Sequence, residues 1–109
     1  MYNKYMNKDV IYLCRFLWDP VKAKKNRKKH KVSFETACRI FNDPLLYCLY
    51  DVKNSTAEED RFLCIGSVDS TYLILTVAVT ERENLTRIIS ARKATAEEVK
   101  KYEKNAERI

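Results

Sequence analysis

Glycine is almost missing from this chain, because Gly66 is the only one among 109 residues. Backbone turns that need a positive φ angle must therefore use asparagine, aspartate or serine, which tolerate that region better than most residues. Two short stretches fit this role, residues 67–70 (Ser-Val-Asp-Ser) and residues 83–84 (Glu-Asn). They separate extended apolar segments, which predicts strands joined by tight turns.

Histidine and paired cysteines are also scarce. His30 is the only histidine, and the four cysteines include no Cys-x-x-Cys pair. A structural zinc site usually takes four such ligands at short spacing, so we expect neither a metal site nor a cofactor. Each cysteine stands among apolar neighbours, where a free thiol acts as a small buried hydrophobe, and this is typical of a reducing cytoplasm. Residues 10–18 are apolar but interrupted by Arg15, which predicts no export signal and no membrane span.

Acidic residues are absent between Asp19 and Glu35. Cations fill that gap: Lys22, Lys24, Lys25, Arg27, Lys28, Lys29 and Lys31, with His30 among them. The whole chain has a formal charge of +6 and a pI near 9.2. Such a surface attracts phosphate or an acidic protein, and charge alone does not separate these two kinds of partner.

Local signals predict an α+β fold. Residues 10–18 alternate as a strand, Asp19 and Pro20 start a first helix as N-cap and first residue, and Ser33 caps a second helix. Strands are expected at residues 45–50, 61–65, 72–80 and 85–92, the third of them central and covered on both sides. Thr95 and Glu98 form a capping box that opens a last helix. We therefore predict a strand, two helices, a three- to four-stranded antiparallel sheet and a C-terminal helix, in one domain of residues 10–109 after a mobile arm of residues 1–9.

These pieces, taken in order, resemble the BrnT-family toxins of bacterial type II toxin–antitoxin systems. The matching residues run over most of the chain: Trp18-Asp19-Pro20, Lys22, Asn26, Lys29-His30, Val32-Ser33-Phe34-Glu35, Ala37, Phe41, Asp43-Pro44, Glu59, Arg61, Ile65-Gly66, Thr80-Glu81-Arg82 and Arg87 to Thr95. The resemblance implies a RelE-like ribonuclease fold, RNA cleavage that halts translation in the cytoplasm, and a hetero-oligomer with a BrnA-like antitoxin that carries a ribbon-helix-helix DNA-binding region. One departure is Lys31, which stands where these proteins usually have glycine, so the first helix is expected to lack a left-handed cap.

RNA can be cut without a metal ion when its 2′-hydroxyl attacks the neighbouring phosphate, which requires proton transfer and cations near the phosphate. Histidine ordinarily titrates near neutral pH, so His30 is the first candidate for proton transfer, with Lys29 adding charge beside it. Arg61 and Arg92 stand at strand ends and can each bind a phosphate through two hydrogen bonds. Glu59 and Glu81 are candidates to orient the imidazole or to act as an alternative base, although Glu59 could simply pair with Arg61.

Further residues are candidates for substrate binding: Lys22, Lys25, Arg27, Ser90 and Glu81. The two-residue period of a strand places Ser90 and Arg92 on one face and Arg87 on the other, unless the strand has a bulge. Arg87 is therefore assigned to the antitoxin or to structure. Tyr102 is expected in the core, and Trp18 is expected under the first helix in preference to stacking on a base.

The alternative function is a non-catalytic module whose basic helix holds nucleic acid or an acidic protein. It would bind RNA in a salt-sensitive way and leave the RNA intact.

Overall fold

The computed structural model describes residues 11–108, so the predicted arm of residues 1–9 lies outside the described part. In chain order the elements are β1 (Ile11–Leu13), β2 (Phe16–Trp18), α1 (Pro20–His30), α2 (Phe34–Cys38), a 3-10 helix (Arg39–Asn42), β3 (Tyr47–Tyr50), β4 (Arg61–Ser67), β5 (Ile74–Arg82), β6 (Leu85–Lys93) and α3 (Ala96–Ala106). The α+β class is confirmed. None of the described helices is long and apolar enough to cross a membrane.

The sheet is mixed, which corrects the prediction of three or four antiparallel strands. Its order is β1-β2-β6-β5-β4-β3, and β2 runs parallel to β6 while the other pairs are antiparallel. Strands β2 to β6 form five strands of this sheet, and the short strand β1 is a sixth strand at its edge. The parallel pair was missed because the crossover from β2 to β6 spans most of the chain, and no local signal reports such a pairing.

Residues 10–18 were predicted as one strand, but the described residues 11–18 form a hairpin. The chain turns at Cys14, whose φ of 56° is left-handed, and β1 then pairs with β2. Asp69, Ser70, Glu83 and Asn84 also have positive φ angles. The expectation that non-glycine residues build the turns is therefore confirmed, although Cys14 was not among the residues expected to do so.

The predicted helix starts are confirmed by their side-chain caps. Asp19 accepts from the Val21 amide at 2.8 Å, Ser33 accepts from the Thr36 amide at 3.1 Å, and Thr95 with Glu98 forms a complete capping box. The prediction for the end of α1 is wrong. Lys31 itself adopts the left-handed conformation, with φ 62°, and its amide donates to the Arg27 carbonyl.

One face of the sheet, called the core face here, packs against the helical segment that follows β2. Val77, Val79, Ile88 and Ala91 are buried there with Phe34 of α2 in one apolar cluster. Trp18 is also buried in that cluster, as predicted, and it lies edge-on to Phe34 of α2.

Gly66 lies within β4, where the sequence analysis took it for a strand end. A side chain at this position would meet the Ile40 Cβ and the Leu46 Cδ1 at 3.0 Å. The missing side chain therefore lets the 3-10 helix and the following loop lie directly on the sheet.

The opposite face is covered only in part, by α3. Tyr102 of α3 is buried, and its hydroxyl donates to Asp43 Oδ2 at 2.5 Å. Asp43 also accepts from the amide and hydroxyl of Ser67. Burial opposes ionisation of Asp43, but the hydrogen bonds from Ser67 and Tyr102 outweigh it and lower the pKa of the carboxyl. Helix α3 is thus fixed at one end of this face, and the rest of the face stays open.

Candidate active site on the open sheet face

The strand register defines which side chains share the uncovered side of the sheet, called the open face from here on. Arg61 of β4 pairs with Thr80 of β5, and partners in an antiparallel pair project from the same face. Two residues further along β5, Ala78 pairs with Ser90, and Thr76 pairs with Arg92. The open face therefore has a floor of small side chains with arginines around it.

A β-bulge in β6 adds Arg87 to this face. Val79 pairs with Ile88 and Ala78 with Ser90, so β6 has one extra residue, Ile89, between these pairs. The extra residue shifts the alternation by one position, and Arg87 faces the same side as its partner Thr80. The sequence analysis placed Arg87 on the opposite face because a regular strand would do so. The structure corrects that placement.

A cavity of about 390 Å³ opens on this face. It is lined by Asp51, Lys53, Asn54, Arg61, Leu63, Thr76, Ala78, Ile89, Ser90 and Arg92. Of the residues predicted for the site, Arg61, Ser90 and Arg92 meet here. The sequence analysis missed Asp51, Lys53 and Asn54, since they belong to a polar loop that carries no motif and is brought to the cavity by the pairing of β3 with β4.

A shared carboxylate holds the first arginine. Glu59 Oε1 accepts from Arg61 Nε at 2.8 Å, and Glu59 Oε2 accepts from Arg82 Nη2 at 2.7 Å. The hydrogen bond from Arg61 is the main reason why the pKa of Glu59 lies below its usual value. The Glu59 carboxylate therefore bridges two guanidinium groups, and its lowered pKa makes it a weaker base than an ordinary carboxylate.

A second carboxylate, Glu98 of α3, holds Arg92. The two side chains form a bidentate pair, with Nη1 to Oε1 at 2.6 Å and Nη2 to Oε2 at 3.0 Å. Glu98 also accepts from the Thr76 hydroxyl and the Thr95 amide. The Arg92 hydrogen bonds lower the pKa of Glu98 to about 2. Arg92 is thus fixed at the edge of the cavity. In the sequence, Glu98 was recognisable only as part of the capping box, and nothing indicated that it pairs with Arg92.

Helix α1 is attached to the free edge of β6 by a single buried side chain. The Asn26 amide group donates to the Ala91 carbonyl at 2.8 Å and accepts from the Ala91 amide at 3.1 Å. It also donates to the Val32 carbonyl. Beyond the end of β2, the Asn26 side chain therefore occupies the hydrogen-bonding position of a neighbouring strand.

The basic residues of α1 that were predicted as site residues lie on different sides of the helix. By the 3.6-residue helical period, Lys22, Lys25 and Lys29 lie on the side away from Ala23. Ala23 packs against the cluster on the core face, and these lysines are exposed to solvent. Arg27 instead lines a separate groove of about 330 Å³ between α1 and α2.

Seven of the ten predicted site residues do not line the cavity, and His30 and Glu81 are among them. His30 lies one helical turn beyond Asn26 at the β6 edge, is partly buried, and is not among the cavity-lining residues. Glu81 pairs with Thr86 and accepts from its hydroxyl at 2.7 Å. Because Glu81 alternates with Thr80 along β5, it projects from the core-face side, opposite to Arg61. In the part of the chain that the structure describes, no three histidine, cysteine or acidic side chains are grouped as metal ligands would be.

Comparison with known proteins gives one finding that covers most of the chain. A family model described as "Ribonuclease toxin, BrnT, of type II toxin-antitoxin system" matches residues 18–98. This range includes every cavity-lining residue and both carboxylates that hold the arginines. A comparison with curated proteins finds no match.

Proposed function

The chain belongs to the family of BrnT ribonuclease toxins of type II toxin–antitoxin systems, and from this premise we propose that it cleaves RNA without a metal ion and thereby inhibits translation. The observation that carries the proposal is the convergence of Arg61, Ser90 and Arg92 on one cavity. Guanidinium groups bind phosphate through paired hydrogen bonds and stabilise the negative charge that develops when phosphorus is attacked.

In this mechanism the 2′-hydroxyl of the substrate attacks its own 3′-phosphate. The new bond is the 2′-oxygen to phosphorus bond, and the bond to the 5′-oxygen of the next nucleotide breaks. Arg61 and Arg92 bind the two non-bridging oxygens, and Ser90 donates a further hydrogen bond. The small floor residues Thr76 and Ala78 let the RNA backbone approach the sheet closely.

The carboxylates position the arginines in this mechanism. A free arginine side chain loses rotamer freedom when it binds a phosphate, and that loss opposes binding. Glu59 and Glu98 hold Arg61 and Arg92 in place before substrate arrives. Phosphate then binds to donors whose geometry is already fixed, which is the condition for strong electrostatic stabilisation.

His30 is the proposed proton-transfer group, and Lys29 is its cationic neighbour. Support comes from the Asn26 attachment, because positions four apart on a helix lie about 5–6 Å from each other. Asn26, one helical turn before His30, is bonded to Ala91, which precedes Arg92 in β6. RNA bound across the β6 edge would bring its sugar to this imidazole while its phosphate contacts the cavity.

The same surface suits an antitoxin. Membership of a type II toxin–antitoxin family implies a cognate antitoxin. We propose that this antitoxin carries a ribbon-helix-helix DNA-binding region and forms a hetero-oligomer in which an acidic segment covers the open face. Covering the arginines would exclude RNA from the cavity and silence the enzyme.

The test is cleavage of a labelled single-stranded RNA by the purified chain in excess EDTA. We expect cleavage with 2′,3′-cyclic phosphate and 5′-hydroxyl ends, and a loss of roughly 10²–10⁴-fold in rate for His30→Ala, as for other general acid–base groups. A His30→Ala rate equal to that of the parent would assign proton transfer to another group. Intact RNA with salt-sensitive binding would favour the alternative, a binding module without catalysis.

A further inference from the structure

Two cysteines face each other across the outer pair of strands, on the side of the sheet opposite to the arginines. Cys48 of β3 and Cys64 of β4 are partners in the strand register. Both are free thiols. Neither the cavity nor the arginine network uses them, so they have no part in the proposed RNA chemistry.

The backbone around this pair has the spacing that a disulfide needs. The Asp51 amide donates to the Arg61 carbonyl at 2.8 Å, which makes Asp51 and Arg61 a hydrogen-bonded pair. Antiparallel strands alternate between hydrogen-bonded and non-hydrogen-bonded pairs, so the Cys48–Cys64 pair is of the non-hydrogen-bonded kind. At such pairs the Cα atoms are roughly 4.5 Å apart. Disulfides bridge Cα separations of about 4.4–6.8 Å, so the backbone does not need to move.

The two thiols differ in a way that assigns each a role. Cys48 is exposed on β3, which pairs only with β4 among the described strands, whereas Cys64 is buried at 3% exposure. Interaction with the neighbouring Cys64 thiol lowers the pKa of Cys48, and interaction with Cys48 together with burial raises the pKa of Cys64. Cys48 is therefore the accessible thiolate, and Cys64 is a thiol held directly behind it.

We propose that Cys48 and Cys64 form an oxidation site at which a hydroperoxide generates a cross-strand disulfide. The Cys48 thiolate attacks the distal peroxide oxygen, the O–O bond breaks, and Cys48 becomes a sulfenic acid while the other oxygen leaves as water or an alcohol. Cys64 then attacks the Cys48 sulfur, the S–O bond breaks, and the hydroxide takes the Cys64 proton as water. With hydrogen peroxide as the oxidant, the two thiols together lose two electrons and two protons, and two water molecules form.

The disulfide would close a ring around the polar loop beside the cavity. Residues 49–63 lie between the two cysteines, and Asp51, Lys53 and Asn54 within them line the cavity. A cross-link restricts the unfolded chain and so stabilises the folded one. We expect the oxidised protein to melt several degrees higher than the reduced one, and amide hydrogen exchange in residues 51–60 to slow.

The experiment uses hydrogen peroxide at a small molar excess, then alkylation of remaining thiols under denaturing conditions and digestion with trypsin. Cleavage after lysine and arginine leaves the four cysteines in four different peptides, residues 9–15, 32–39, 40–53 and 62–82. We expect peptide 40–53 to be joined to peptide 62–82 with the loss of two hydrogen atoms. Dithiothreitol should release both peptides and return the melting temperature to that of the reduced protein.

Single variants separate this site from general thiol oxidation. In Cys48→Ser, peroxide should consume Cys64 roughly tenfold more slowly, since no exposed thiolate precedes it. Cys14→Ser and Cys38→Ser are matched controls and should give the same cross-link as the parent. Burial raises the pKa of Cys38 to about 12, so its thiol is poorly reactive. A cross-link through Cys14 or Cys38, or alkylation of both Cys48 and Cys64 while Cys14 is oxidised, would overturn the proposal.

Discussion

The basic helix α1 and the open sheet face both carry dense positive charge, but they hold it differently. Among the described residues, no cation of α1 takes part in an ion pair, and Asn26 is the one buried residue of that helix. On the sheet, Arg61, Arg82 and Arg92 are each held by a carboxylate. The α1 side chains are therefore not held by carboxylates, whereas the arginines of the sheet are held in fixed positions.

The stretch of sequence with the highest density of positive charge is therefore not the place where cations are held in a geometry suited to catalysis. A mobile lysine attracts phosphate over a distance but loses entropy when it is immobilised. A held arginine loses less and presents a planar pair of donors. We assign attraction and orientation of RNA to α1, and stabilisation of the reacting phosphate to the open face.

Among the cations compared between the two regions, the largest expected effect comes from removing a cavity arginine. Arg61→Ala and Arg92→Ala should each lower the RNA cleavage rate by roughly 10²–10³-fold, because each removes a donor to developing charge. Lys25→Ala and Lys29→Ala should change the rate less than about threefold at low salt and mainly reduce its salt dependence. The measurement is single-turnover cleavage at several salt concentrations, with Arg39→Ala as the matched control because Arg39 pairs with Asp69 outside the cavity. Equal losses for the arginine and lysine variants would remove the distinction between the two regions.

An intermediate effect is expected at Arg87. Arg87→Ala should raise KM for RNA about tenfold with a smaller change in kcat, as loss of one charge-assisted phosphate contact would do. Arg87→Lys should recover part of the loss. Deletion of Ile89 should leave activity largely intact, because it removes the bulge but keeps Arg87 and Arg92 four positions apart in a regular strand, on the same face. Circular dichroism checks the fold, and an unchanged KM in Arg87→Ala would return Arg87 to its assignment as an antitoxin or structural contact.

The smallest effect concerns stability and its pH dependence. Glu98→Gln should lower the free energy of unfolding by about 1–3 kcal/mol at pH 7, since it breaks a charged hydrogen-bonded pair. The folded-state pKa of Glu98 is about 2, below the ordinary 4.5, so its contribution is present above about pH 4.5 and is lost as the pH falls toward 2. The difference between variant and parent in urea unfolding should therefore shrink on acidification. Glu97→Gln on the same helix turn is the control and should change stability by less than about 0.5 kcal/mol.

The sequence by itself determined the features that depend on neighbours within a few residues. Asp19, Ser33 and Thr95 cap helices through bonds to amides two or three positions away, and the same bonds can form in any surroundings. The α+β class and the family follow from the order of such local signals. Arg61, Ser90 and Arg92 were predicted from the positions of the arginines at strand ends and from the strand period, although the register places the two arginines four positions apart along β5.

Only the tertiary structure decided the features that depend on which strands pair. The bulge at Ile89, the parallel placement of β2 beside β6, and the contact between Cys48 and Cys64 each need a partner strand whose register no local pattern reports. Arg87 changed faces for this reason, since one inserted residue reverses every side chain beyond it. Helix α1 is attached to β6 by the bond from Asn26 to Ala91, across 65 positions of sequence. Local bonding fixes where elements begin, but long-range pairing determines which side chains meet.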